Sequence, residues 1–165
     1  MSHPTWTLRP ALPADAPRLT ELAQAAKGHW GYPQDWLARW EPDLTLTPEY
    51  IAQHRMFVAE EDGVVIGVSG IEDHGARWIL EHVWIDPAHQ GRGLGQALVR
   101  RCLDAARAVR PGVVEIVAEP NATGFYEKLG ARRVGAIPAP MPGAPDRELP
   151  LYEIVLEPFA PDSNP

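Results

Sequence analysis

The chain has 165 residues, 45% of them apolar and 22% charged, which is enough for one domain with a buried core and ordinary for a soluble globular protein. A net charge of −7 speaks against general nucleic-acid binding, which depends on clustered positive charge, and no run approaches the roughly 18 apolar residues of a membrane helix. The first residues lack a positive and then apolar secretory pattern, and the single Cys102 can form no internal disulfide, so a cytoplasmic location is expected.

In chain order, Trp6 to Pro10 reads as a short first strand. Asp15 as N-cap and Pro17 in the first turn open a helix to about Ala26, with Leu19, Leu22, Ala23 and Ala26 on one face. The glycines between Lys27 and Pro33 break it, and two helical pieces follow, Gln34 to Trp40 and Pro48 to His54. Met56–Glu60 and Val64–Gly70 form a hairpin across Glu61-Asp62-Gly63, and a second tight turn at Glu72–Gly75 leads into a strand over Trp78–Ile85. After a glycine-rich segment, Leu94, Ala97, Leu98, Cys102, Ala105, Ala106 and Val109 recur at helical spacing, which makes Cys102 a small core residue. Gly112–Ala118 is a β-branched strand, and Asn121 caps a short helix that carries Phe125, Tyr126 and Leu129 and stops at Gly130. Val134–Ile137 and Leu151–Leu156 are the last strands, separated by a Pro- and Gly-rich loop, Pro138 to Pro150. No repeat or linker divides residues 1–165; the core spans about 6–156 and residues 160–165 read as a disordered tail.

The segment from Gln90 to Gly95 carries the chemistry. Glycines just ahead of a helix let the backbone come close to a ligand, and the free N–H groups and positive dipole end of that helix favour a phosphate. Two familiar phosphate loops do not fit. Gly95 stands where a dinucleotide fingerprint has no glycine, the residues Asp86 to Gln90 intervene before the first glycine, and no Gly-Lys pair for a P-loop exists.

The remaining pattern, Gln90-x-x-Gly93-x-Gly95 after a strand ending in Ile85-Asp86-Pro87, resembles the acetyl-CoA pyrophosphate loop of the GNAT superfamily of N-acyltransferases. The order of elements agrees with that fold from about Trp6 to Leu156. The resemblance implies a single α/β domain with a mixed, largely antiparallel sheet, flanked by helices and splayed between its two middle strands. It implies transfer of acetyl from acetyl-CoA to a primary amine, directly and within a ternary complex. The backbone of Gln90, Gly91, Arg92, Gly93, Leu94, Gly95 and Gln96 would hold the pyrophosphate. Val83, Trp84 and Ile85 would bond the pantetheine arm and supply an N–H that polarises the thioester carbonyl. Tyr126 falls at the position of the general acid, since a phenol with a pKa of about 10 stays protonated at neutral pH. Asn121 would add a polar contact to the cofactor arm.

Glu81 is the candidate base. Strand alternation puts it in phase with Val83 and Ile85 and opposite His82 and Trp84; its other reading is a solvated strand residue. The family's acceptor segment is aromatic here. Trp30 and Tyr32 could pack an acceptor or hold a cation by a π-face, whereas Trp36 and Trp40, at i and i+4, staple a helix to the core. The Pro138–Pro150 loop would form the opposite wall. The histidines show no metal-ligand spacing. The expected partner is a small-molecule or peptide amine, with neither nucleic acid nor membrane; family members often pair as homodimers, but no residue pattern here decides that. Two rival readings stay open, an acyl-CoA-sensing module without catalysis and an enzyme using another nucleotide such as NAD.

Overall fold

The computed structural model describes residues 4–160; the rest of the expected tail, 161–165, lies outside the described residues. Seven strands form one sheet: β1 (Thr7–Pro10), β2 (Arg55–Glu61), β3 (Val64–Asp73), β4 (Arg77–Ile85), β5 (Gly112–Val117), β6 (Arg132–Pro138) and β7 (Glu148–Leu156). Their spatial order is β1-β2-β3-β4-β5-β7-β6, and every neighbouring pair is antiparallel except β4 with β5. This is the mixed, largely antiparallel α/β fold expected from the sequence.

Helices cover both faces. α1 (Ala16–Gly28), α2 (Gln34–Trp40) and α3 (Pro48–Gln53) precede β2, while α4 (Leu94–Val109) and α5 (Thr123–Lys128) flank β5 in the chain. One core packs Leu94, Leu98, Val99 and Cys102 of α4 and Tyr126 of α5 on Phe57, Ala59, Ile66, Trp78 and Leu80. The other packs Leu19, Leu22 and Ala23 of α1 and Ile51 of α3 on Met56, Val58, Val65 and Val68. Because both faces of β2 and β3 are covered, these strands read as near-continuous apolar runs rather than alternating ones. Burial pushes the Cys102 thiol up to about 12, as befits a packing residue.

Two capping expectations fail. Asp15 makes no side-chain cap to α1; its carboxylate accepts instead from the Leu12 N–H (2.8 Å) and from the Arg9 guanidinium (2.8 and 3.0 Å), fastening the first strand. Asn121 lies inside a 3₁₀ turn, Pro120–Ala122, whose cap is Glu119; Ala122 precedes α5.

The middle of the sheet positions the site. β4 and β5 pair only at Arg77–Val113, Trp78–Val114 and Ile79–Glu115. Beyond Ile79 they part, because β4 stays bonded to β3 as far as Ile85 while β5 follows β7 along its length. Where it pairs with β3, β4 also carries a bulge. Glu81 pairs with Gly70 and Trp84 with Val68, so His82 and Val83 together oppose Ser69, and His82 adopts a left-handed φ of 59°. The extra residue reverses the alternation. Trp78, Leu80, Val83 and Ile85 all meet the α4 core, whereas Trp84 packs on the α1 core. Glu81 is therefore out of phase with Val83 and Ile85, contrary to the unbroken-strand expectation, and shares the face of Trp84.

Candidate active site

The gap between the parted strands opens a cavity of about 620 Å³, walled by Val83, Trp84 and Ile85 of β4, by Gln90–Gly91 and Gly93–Gln96, and by Glu119, Asn121, Phe125 and Tyr126 at and before α5. Gly91 and Gly93 take left-handed φ values of 78° and 79°, a region that costs an L side chain about 1–2 kcal/mol. Gly95 has a different reason: a Cβ there would lie 3.1–3.2 Å from the Phe125 ring, so its lack of a side chain lets α4 approach α5. The first bond of α4 runs from the Ala97 N–H to the Gly93 carbonyl (3.1 Å), leaving the preceding N–H groups of the helix start without helical acceptors. They form a cradle suited to phosphate oxygens. Arg92 turns its side chain away, donating to Glu61 (3.2 Å) and Thr5 (3.0 Å), and does not line the cavity. Gly93→Ala should accordingly lower stability by about 1–2 kcal/mol, a fall of roughly 2–8 °C in Tm for a chain of this size, read by calorimetry.

Glu81, Tyr126 and His82, at or beside this gap, differ in state. Glu81 is exposed on β4, next in the chain to the bulge at His82 and Val83, and does not itself line the cavity. Burial, then the charges of Glu72 and Asp43, push its carboxyl up to about 7. Tyr126 is 7% exposed, lines the cavity and packs edge-on against Phe125 (5.0 Å). Burial first, then the carboxylates of Glu81 and Glu119, raise its phenol above the ordinary value, so it keeps its proton. The left-handed His82 is held below its ordinary value by burial. Its Nδ1 accepts from Trp84 Nε1 (3.1 Å), which leaves the neutral ring's proton on Nε2. With its lone pair engaged, His82 is a poor base.

Glu119 is a site residue that sequence reasoning missed. Its carboxylate, with 13% of the side chain exposed, accepts from Lys27 Nζ, from the Tyr32 hydroxyl, and from the side chain (2.7 Å) and backbone (3.3 Å) of Asn121. Burial alone would raise it, but the bonds from Lys27 and Tyr32 prevail and hold it below its ordinary value. It stays ionised and structural. Asn121, which lines the cavity, donates Nδ2 to Glu119 and to the Tyr32 oxygen (3.2 Å), and among the described residues its Oδ1 has no donor. A carboxylate before Pro120 hinted at a turn cap; its tie to Lys27, 92 residues away, has no local signature.

Residues 17–131 match the family model described as Acetyltransferase (GNAT) family. The chain belongs to that family. It is 34% identical over 131 residues to the N-alpha-acetyltransferase RimI of Mycobacterium tuberculosis, covering 74% of this chain and 75% of that one. It is also 34% identical over 114 residues to the L-methionine sulfoximine/L-methionine sulfone acetyltransferase of Salmonella typhimurium, covering 61% and 63%. Among solved structures, the GCN5-related N-acetyltransferase of Rhodopseudomonas palustris superposes with a TM-score of 0.78 at 20% identity, over 94% of this chain and 99% of that one. The putative acetyltransferase yncA of Salmonella typhimurium, solved with its cofactor acetyl-CoA, gives 0.69 at 25% identity, over 96% and 99%.

In this GNAT chain the aromatic segment divides in two. Trp30 lines the cavity, whereas Tyr32 stands behind it, joined through its hydroxyl to Glu119. Tyr32 stacks on Trp36 (5.9 Å) and meets Trp40 edge-on (5.0 Å). Trp40 packs on the α1 core as expected of a staple; Trp36 instead donates Nε1 to the Pro142 carbonyl (3.0 Å) in the β6–β7 loop. The expectation that Tyr32 offers a free π-face to an acceptor's cation meets a different occupant. Lys27 lies 5.0 Å from the ring centroid of Tyr32 and 4.4 Å from that of Trp40, and Arg147 of the β6–β7 loop lies over Tyr32, Trp36 and Trp40 at 5.9, 5.4 and 5.2 Å.

Proposed function

We propose that this protein transfers acetyl from acetyl-CoA to the primary amine of a small molecule or peptide, directly, within a ternary complex. One observation carries the reading: a helix-start cradle and a proton-holding phenol share one cavity, beside which a carboxylate near neutrality sits on the same strand edge. The N–H groups from Gln90 to Gln96 would hold the donor's pyrophosphate. Asn121 Oδ1 would accept a hydrogen bond from the donor's amide-bearing arm. An N–H among Val83, Trp84 and Ile85, on the edge that β5 has left, would stabilise the oxygen where charge develops. Glu81 would take the proton of the acceptor's ammonium, directly or through water, and Tyr126 would give its hydroxyl proton to the departing thiolate. The acetyl-CoA in the Salmonella structure supports the choice of donor.

The test is thermal shift with acetyl-CoA, CoA and NAD, followed by CoA release with a panel of amines. Acetyl-CoA at 100 times its Kd should stabilise the protein by about 2.7 kcal/mol. Stabilisation by NAD but not by CoA overturns the reading. CoA binding without transfer to any amine replaces it with an acyl-CoA sensor.

A further inference from the structure

The α1–α2 segment and the β6–β7 loop meet at a cluster of three rings flanked by two cations, and the two cations differ. Lys27 is neutralised by Glu119, with both side chains 13% exposed. Arg147 is not. Among the described residues no carboxylate pairs with its guanidinium; its sequence neighbours Asp146 and Glu148 are exposed, one Nη donates to the Ala139 carbonyl (3.3 Å), and the guanidinium otherwise approaches only the Tyr32 hydroxyl. The guanidinium is half-buried and held over Tyr32, Trp36 and Trp40. Rings take up the plane of a guanidinium and leave its N–H edge available, so a platform of this kind holds a donor fork in place without satisfying it.

The platform is joined to the site already described. The hydroxyl of Tyr32, one of its rings, bonds Glu119 and Asn121, which wall the cavity. The loop bearing Arg147 is pinned to the same platform by the bond from Trp36 to Pro142. A second cation brought here would meet Arg147 and Lys27 on the faces it needs. An anion would meet a guanidinium that has no carboxylate partner among the described residues.

We propose that Arg147 recognises a carboxylate on the acceptor, so that the favoured substrates are amines bearing a carboxylate, such as free amino acids. This rests on the N-acetyltransferase reading and adds the substrate class to it. The planar fork matches two carboxylate oxygens, and the fixed rings lessen the entropy lost when the pair forms. The amine end of such a substrate would point to Glu81 and its anionic end to the loop.

The experiment is steady-state transfer by the full chain with acetyl-CoA, using matched acceptors: amino acids, their amides, the corresponding decarboxylated amines, and phosphate-bearing amines. Wild type should use the acids with kcat/KM about ten- to hundredfold above the amides, the range of one or two charge-assisted bonds. Arg147→Gln should bring that ratio towards one, chiefly through KM, and Arg147→Lys should keep part of it. The acid-to-amide ratio of wild type is a test that needs no variant. Equal use of acids and amides, or a preference for phosphates over carboxylates, overturns the proposal while acetyl transfer stands. A ratio unchanged in Arg147→Gln moves recognition elsewhere and also overturns it. Transfer to no amine at all removes the enzymatic reading together with this one.

Discussion

Glu81→Gln is expected to lower kcat about 10³-fold, an increase of roughly 4 kcal/mol in the barrier, with little change in donor affinity. The size follows from the state of the carboxyl. A base works best when its pKa lies near the working pH, and burial beside Glu72 and Asp43 brings Glu81 to about 7. Wild-type kcat/KM should rise with pH as this carboxyl ionises and level off above about 7; Glu81→Gln should lack that limb. Glu72→Gln, which removes a like charge, should move the limb to lower pH. Stability gives a second readout. A carboxyl raised from 4.5 to about 7 binds its proton more tightly when folded, so its favourable contribution is complete below 4.5 and is lost as the pH rises through 7. Denaturation at pH 5 and pH 8 should therefore show a smaller pH difference in Glu81→Gln than in wild type. A variant with kcat within tenfold of wild type, and with the same limb, would falsify the assignment of Glu81 as base.

Tyr126→Phe is expected to cost about 10² in kcat, roughly 2.7 kcal/mol, while the Kd for acetyl-CoA changes by less than about threefold. The effect sits at the low end for general acids because burial raises the phenol away from the working pH. The substitution is clean. The ring stays against Phe125, and among the described residues the hydroxyl has no hydrogen-bond partner to orphan, so stability should move by no more than about 0.5 kcal/mol. Single-turnover kinetics with saturating donor separates the chemical step from binding, and an unaltered rate there removes Tyr126 from the proton path.

How much of this was legible in the chain depends on how local each cause is. Gly91 and Gly93 mark left-handed turns, and the spacing from Leu94 to Ala106 marks a buried helix face; both are properties of a few neighbouring residues, and both hold in the fold. The third glycine, expected in the loop, lies in the first turn of α4, where a second, non-local cause acts on it. A Cβ at Gly95 would press on the ring of Phe125, thirty residues later in the chain. Asn121 has the composition of a helix cap, yet its amide is spent on Glu119 and Tyr32, which a local reading could not foresee.

The sequence by itself determined the order of elements, the cradle before α4, the membership of Tyr126 in the helix that follows β5, and through these the family. Each depends on contacts within a turn or two of chain, where residue type and spacing are the physical cause. Only the tertiary structure decided which way Glu81 faces, because the bulge at His82 arises from pairing with Gly70 and Val68 on another strand. It alone also decided that Tyr32 faces the chain's own Lys27 and Arg147 and that Glu119 binds Lys27 from α1. Those outcomes are set by charges and rings that meet across scores of residues, and no short window of sequence contains both partners.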